Sequence, residues 1–205
     1  MKSIAVFGAT GMTGICVVKA ALEKGLKIRA LLRDPSKLPQ EYNGKVDVVK
    51  GDVLNAEDVK KTLEGQDAVI VVLGTRNHLG PTTVMSDGLK NIIAGMKALN
   101  ISIVSVCLSM YLFYDPKKVP VMYHEVTADH KRMFEALKTS GLQWIAVNAP
   151  YFTDQRPTGY IVKHDANTRY TTISKYDLAR FFVESLTSPE HYQKAIGIAS
   201  NPRKL

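Results

Sequence analysis

Cysteine is scarce in this 205-residue chain: Cys16 and Cys107 are the only two, they lie far apart, and neither belongs to a CxxC or Cys/His cluster. That excludes a disulfide scaffold and a zinc module, so no metal is expected and a reducing compartment is the natural setting. Long hydrophobic runs are missing too. The longest, Ala68 to Leu73, falls far short of the ~18 apolar residues of a membrane span. The apolar stretch near the start is short and meets a glycine pattern at once, which argues against a signal peptide. A cytoplasmic protein is expected. Glycine (14) and proline (9) stand at ordinary levels, which excludes collagen-like and low-complexity chains. Positive charge is in excess, at a formal net +8. Its densest patches, Lys60-Lys61, Lys117-Lys118, Lys131-Arg132 and Arg203-Lys204, are only pairs without interleaved aromatics. Neither nucleic acid nor a membrane is therefore an expected partner, and small anionic ligands are.

What is present is enough for one globular domain over residues 1–205, with 45% hydrophobic and 22% charged residues and a length that buries a sizeable core. Lys2 to Phe7 has the length of a strand, and Ile15, Val17, Val18, Ala21 and Leu22 follow at helical spacing up to Gly25. Further strands are predicted at Lys27–Leu32, Val46–Lys50, Asp67–Leu73, Ile101–Leu108 and Gln143–Asn148. Helices are predicted from the Asn55/Asp58 cap to about Leu63, at Thr83–Leu99 and at Val121–Ser140. DAVIVVL is almost continuously apolar, as strands covered on both faces are, and belongs at the centre of a parallel sheet. This alternation predicts an α/β fold: a single doubly wound (Rossmann) parallel sheet with helices on both faces. After Pro150 the rhythm stops. A substrate loop at about 149–160 is expected there, with a short strand pair, a capped helix from Ser174 to about Thr187 and a last strand at Lys194–Ala199.

Gly8-Ala9-Thr10-Gly11-Met12-Thr13-Gly14 reads G-x-x-G-x-x-G directly after a strand and at the opening of a helix. Gly8 suits the tight turn, Gly11 the approach of a diphosphate and Gly14 close helix–strand packing, while the helix N-terminus supplies N–H donors and a positive dipole. The residue past the second strand selects the dinucleotide: an acid binds the ribose hydroxyls of NAD, an arginine accommodates a 2'-phosphate. Arg33 stands there, with Lys37 four residues on, and Asp34 precedes Pro35 in a turn. NADP(H) is the expected cofactor; the competing reading leaves two solvated cations.

GATGMTG, LLRDPSKLP, VVKGDVLNAEDV, GQDAVIVVLGTRN, PTTVMSDGLKNI, YDPKKVP, TADHKRM and DQRPTG together resemble the NADPH-dependent flavin reductase, or biliverdin-IXβ reductase, family of atypical short-chain dehydrogenases. The resemblance runs from Ile4 to about Leu178. It implies hydride transfer from NADPH to flavins (FMN, FAD, riboflavin) as substrates rather than prosthetic groups, and to linear tetrapyrroles other than biliverdin IXα, a step in heme catabolism. By motif match Thr10, Gly11, Met12 and Thr13, flanked by Gly8 and Gly14, hold the diphosphate. Arg33 and Lys37 hold the 2'-phosphate, Asp52 and Val53 flank the adenine, and Leu73, Gly74, Thr75, Arg76 and Met85 line the channel toward the nicotinamide. The implied cofactor set extends to Cys107, Leu108, Pro150, Tyr151 and Phe152. Ser109 matches the serine that orients nicotinamide and substrate, and the acceptor pocket is placed among Ser109, Met110, Tyr111, Phe113, Tyr151 and Phe152. Tyr151-Phe152 stands where the family has a histidine in its substrate loop, which puts that histidine's proton-delivery role in doubt here. A monomer is expected.

Two further patterns compete for a chemical role. Tyr114 and Lys118 form Y-x-x-x-K, but Pro116 between them and Val119-Pro120 after them argue for a loop rather than the helix that pair requires. His130 suits a proton shuttle, although a lone helical histidine is more often structural. The cofactor motif alone also serves a non-catalytic NADPH-sensing regulatory protein of the same fold.

Overall fold

The computed structural model describes residues 1–75 and 78–202. In chain order they form β1 (Ser3–Phe7), α1 (Met12–Glu23), β2 (Lys27–Leu32), β3 (Val46–Lys50), α2 (Ala56–Leu63), β4 (Ala68–Val71), α3 (Val84–Ala98), β5 (Ile103–Ser109), α4 (His124–Lys138), β6 (Gln143–Ala149), β7 (Tyr151–Thr153), β8 (Tyr160–His164), β9 (Thr172–Ser174), α5 (Lys175–Ser185) and β10 (Lys194–Ser200). An eight-stranded sheet runs β3-β2-β1-β4-β5-β6-β10-β8, and β7 pairs with β9 outside it. Every neighbouring pair in the large sheet is parallel except β10 with β8. The doubly wound expectation holds, and no helix among the described residues is long and apolar enough to cross a membrane.

Alternation along the strands builds the two core layers. Ile4 and Val6 face the layer that holds Val17, Val18 and Ala21 of α1 and Leu178, Phe181 and Phe182 of α5. Ala5 and Phe7 face the other, with Val59 and Leu63 of α2, Leu89, Ile92 and Met96 of α3, and Met133 and Leu137 of α4. All four residues of β4 are fully buried, as expected of the strand beside β1. The chain winds outward from β1 to β3 and then restarts on the other side at β4. The connections leaving the carboxyl ends of β1 and β4 therefore diverge, and a crevice opens between them.

Three local expectations change. The helix predicted from Val121 begins as a 3-10 turn, Val121–Tyr123, after Pro120, and becomes α-helical only at His124. Asn55 caps α2 by accepting from the Glu57 and Asp58 amides (2.9 and 3.4 Å), but Asp58 does not reach back to Asn55. It accepts from the Asp52 amide at 3.0 Å and so holds the β3–α2 loop. The segment after Pro150 is more ordered than a loop: β7 starts at the next residue, and β8 closes the sheet edge with Val162 opposite Ile198.

Candidate cofactor and acceptor site

A cavity of about 480 Å³ lies along the carboxyl ends of the strands. Its first wall is the turn after β1. Gly8 has φ +93°, and a Cβ there would stand 2.4 Å from the Val72 carbonyl oxygen; a Cβ on Gly14 would stand 2.1 Å from the Gly8 oxygen. The first requirement is conformational and the second is close packing of α1 on the turn, so Gly14 supports the wall without lining it. Gly8, Thr10, Gly11, Met12 and Thr13 line it. No side chain caps α1 at Gly11 and no acid stands in its first turn. The first-turn amides and the positive end of the helix dipole are therefore available to an anion, which is what a diphosphate requires.

Arg33 follows β2 on the cavity wall, exposed, and among the described residues no carboxylate pairs with it. Asp34 lines the cavity beside it, and its carboxylate accepts from the Ser36 amide and hydroxyl at 3.1 and 2.6 Å, bonds that hold it below its ordinary pKa. Lys37 lies 3.6 Å from Asp34 and off the wall. Of the two cations expected at the 2'-phosphate, Arg33 lines the cavity and Lys37 stands beside it, half-exposed next to Asp34.

Asp52 and Val53 line the next stretch. Asn91 of α3 donates to the Val53 carbonyl at 3.0 Å, and Gly88 leaves room for the Val53 side chain, whose Cγ1 would stand 2.7 Å from a Cβ there. Leu73, Gly74, Thr75 and Met85 continue the wall as expected; Arg76 lies outside the described residues. Cys107 and Leu108 of β5 form part of the floor, and burial pushes the Cys107 thiol up to about 12, which disfavours its thiolate.

At the far end Ser109, Met110, Tyr111, Pro150, Tyr151 and Phe152 converge. β5 and β6 put them there: Ser109 stands opposite Ala149 in the parallel ladder, so the segments that leave the two strands start side by side. The Ser109 hydroxyl oxygen accepts from the Tyr111 amide at 3.2 Å, which caps the 3-10 turn Met110–Phe113 and leaves the hydroxyl proton to donate. Asn167 donates to the Met110 carbonyl at 3.2 Å. Phe113, expected in the pocket, is not on its wall, because the turn carries it past the opening. Tyr114 and Lys118 share no helix: Pro116–Lys118 is a separate 3-10 turn.

Sequence reasoning missed part of the wall. Tyr123, Val126 and Thr127 line the cavity from the start of α4 beside His130, the histidine already weighed as a proton shuttle, and the spacing of the four on one helical face was the available signal. The Nδ1 of His130 is buried with no partner among the described residues, and burial lowers its pKa to about 4. The ring is thus neutral at pH 7. Asn148, one residue before the wall at Ala149, is fully buried with both amide atoms unpartnered among the described residues. A separate hollow of about 430 Å³ by Lys163 and Arg169 at the β8 edge shares no residue with this cavity.

Comparison with known proteins agrees with this geometry. The profile of the family described as NAD(P)H-binding matches residues 8–189. A chloroplastic Arabidopsis thaliana protein of uncharacterized function is 26% identical over 97% of this chain and 77% of its own length. The photosystem II assembly factor Ycf39 of Cyanophora paradoxa is 28% identical over 92% of this chain, which spans 60% of that protein. Among solved structures, ChuY of Escherichia coli O157:H7, described as an anaerobilin reductase, superposes with a TM-score of 0.77 at 17% identity and covers 98% of both chains. With its glycine turn, uncapped α1 and doubly wound sheet, the chain belongs to the NAD(P)H-binding family of Rossmann-fold proteins.

Proposed function

We propose that this chain is an NADPH-dependent reductase of flat conjugated acceptors. The acceptors are flavins such as FMN, FAD and riboflavin, and linear tetrapyrroles such as biliverdin IXβ. One observation carries the reading: a single cavity runs from the uncapped N-terminus of α1 and Arg33, which no carboxylate pairs among the described residues, to an end walled by Tyr111, Tyr123, Tyr151 and Phe152. The fold neighbour described as an anaerobilin reductase supports the reductase class.

A bound reduced nicotinamide supplies the hydride. The remaining work falls to the chain. The α1 amides and Arg33 bind the phosphates, with Arg33 selecting the 2'-phosphate. Ser109 donates its hydroxyl proton into the cavity, and the aromatic faces hold a planar acceptor by stacking. No helical Tyr/Lys pair is present at Tyr114 and Lys118, and His130 is neutral at pH 7. Acceptors that take hydride into a conjugated system and draw protons from water suit such a site, where proximity carries most of the rate.

A cofactor-dependent regulatory role is the second reading, favoured by the relative described as an assembly factor. The two separate when purified protein is mixed with NADPH and either FMN or biliverdin IXβ and the absorbance of NADPH is followed. Oxidation with either acceptor supports the reductase. Tight NADPH binding with flat traces for both supports the regulator.

A further inference from the structure

Tyr111 and Tyr151 meet across the far end of the cavity, their hydroxyl oxygens 2.5 Å apart. The contact joins the segment after β5 to the strand that follows Pro150, and both partners are fixed. The Tyr111 ring stacks on Tyr123 at 5.3 Å and meets the edge of Tyr114 at 5.4 Å. Tyr151 is anchored by its amide, which donates to the Thr171 carbonyl at 3.0 Å.

A pair of phenols shares one bridging proton and has one left over, and burial decides which oxygen keeps it. Tyr111 is only 8% exposed, and its hydroxyl has no other partner among the described residues; Tyr151 is 46% exposed at the rim. If Tyr151 donated, the second proton would sit on Tyr111, the less exposed of the two rings. Either oxygen can donate; with Tyr111 as donor, the arrangement the greater exposure of Tyr151 favours, the Tyr151 proton is free at the cavity mouth.

We propose that the Tyr151 hydroxyl, oriented by Tyr111, is the hydrogen-bond donor that selects acceptors bearing a carbonyl oxygen on a conjugated ring system. This deepens the reductase reading and rests on it for the use of the bound acceptor, though not for binding. Burial and the bond to Tyr151 raise the Tyr111 phenol above its ordinary pKa, so Tyr111 keeps its proton and serves to hold the Tyr151 hydroxyl, which acts by polarising the carbonyl. Negative charge grows on that oxygen as hydride arrives, so the bond strengthens along the reaction. Flat hydrocarbons of the same outline gain the stacking but not the bond.

Menadione and 2-methylnaphthalene share one skeleton and differ in the two carbonyls. Their binding to the NADP⁺-loaded protein is measured by calorimetry for the unaltered chain, Tyr151→Phe and Tyr111→Phe. Loss of one hydrogen bond should weaken menadione by roughly 10-fold in Tyr151→Phe, with a several-fold smaller shift for 2-methylnaphthalene. Tyr111→Phe, which leaves the donor present but unoriented, should lie between the unaltered chain and Tyr151→Phe. Equal losses for both probes, or no menadione binding to the unaltered chain, would overturn the proposal. Menadione binding of the expected pattern without NADPH oxidation would instead sink the reductase reading and leave the donor assignment standing.

Discussion

The carboxylate of Asp129 on α4 receives the Met85 amide of α3 at 3.2 Å, and so one helix caps the next. It also accepts from the Ser86 amide at 3.4 Å and pairs with Arg132 at 3.1 Å, while Arg132 donates to the Thr82 carbonyl. Thr83, at the N-cap position of α3, makes no such bond itself. Because Met85 lines the cavity and Asp129 is fully buried, the cap fixes a wall of the site from a helix on which the acceptor end also depends. Asp129→Ala should lower stability by about 3 kcal/mol, since it strips the α3 terminus and leaves Arg132 without its partner. Urea unfolding measures the loss; a change below about 0.5 kcal/mol would mean that α3 is held by packing alone.

Arg33 lies on the cavity wall and Lys37 does not, and on the proposed function Arg33 selects the 2'-phosphate. Arg33→Ala should raise the KM for NADPH by roughly 10- to 100-fold, the equivalent of about 1.5–3 kcal/mol for a charge-assisted contact, and leave that for NADH nearly unchanged. Lys37→Ala should do far less. Equal effects of Arg33→Ala on the two cofactors would place the arginine elsewhere.

Ser109 both caps the turn that carries Tyr111 and faces the cavity. Its replacement by alanine should cut turnover about 10-fold, or ~1.4 kcal/mol of barrier, rather than abolish it. Tyr114→Phe, off the wall, should be nearly silent. Abolished turnover in Ser109→Ala with NADPH binding intact would make the serine an obligatory proton donor.

His130 predicts a pH effect of definite sign. Its folded pKa is depressed to about 4 against 6.5 for the free group, so the unfolded chain binds the extra proton first. The neutral ring's contribution is complete above about pH 6.5 and is lost as pH falls toward 4, a difference on the order of 3 kcal/mol. Unfolding of the chain and of His130→Gln at pH 7 and 4.5 isolates it. Parallel losses in both proteins would show that the imidazole stays hydrated.

The sheet and the nucleotide end were legible because periodicity and glycine spacing are local. DAVIVVL gave the central strand, and Gly8 and Gly14 sit where backbone approach forbids a Cβ. Other features depend on partners far along the chain, which one sequence does not display. Asp129 reads as a surface acid until α3 arrives, Lys37 reads as free until Asp34 turns toward it, and Phe113 is carried off the wall by a cap that Ser109 provides. A short strand pair was expected before α5, but the bounds of β8 and its pairing with β10 were not legible, because β10 begins thirty residues later and the five residues between Gly159 and Asp165 carry little alternation of their own.

The central claim is hydride delivery from NADPH to a flat acceptor held at Ser109, Tyr111 and Tyr151. Its most direct test is a single turnover: protein loaded with one equivalent of NADPH is mixed with FMN in the absence of oxygen, and cofactor and flavin absorbances are followed together. Loss of NADPH should be matched one for one by bleaching of FMN, far faster than in the same mixture without protein. NADPH that stays bound and unoxidised while FMN keeps its colour would contradict it.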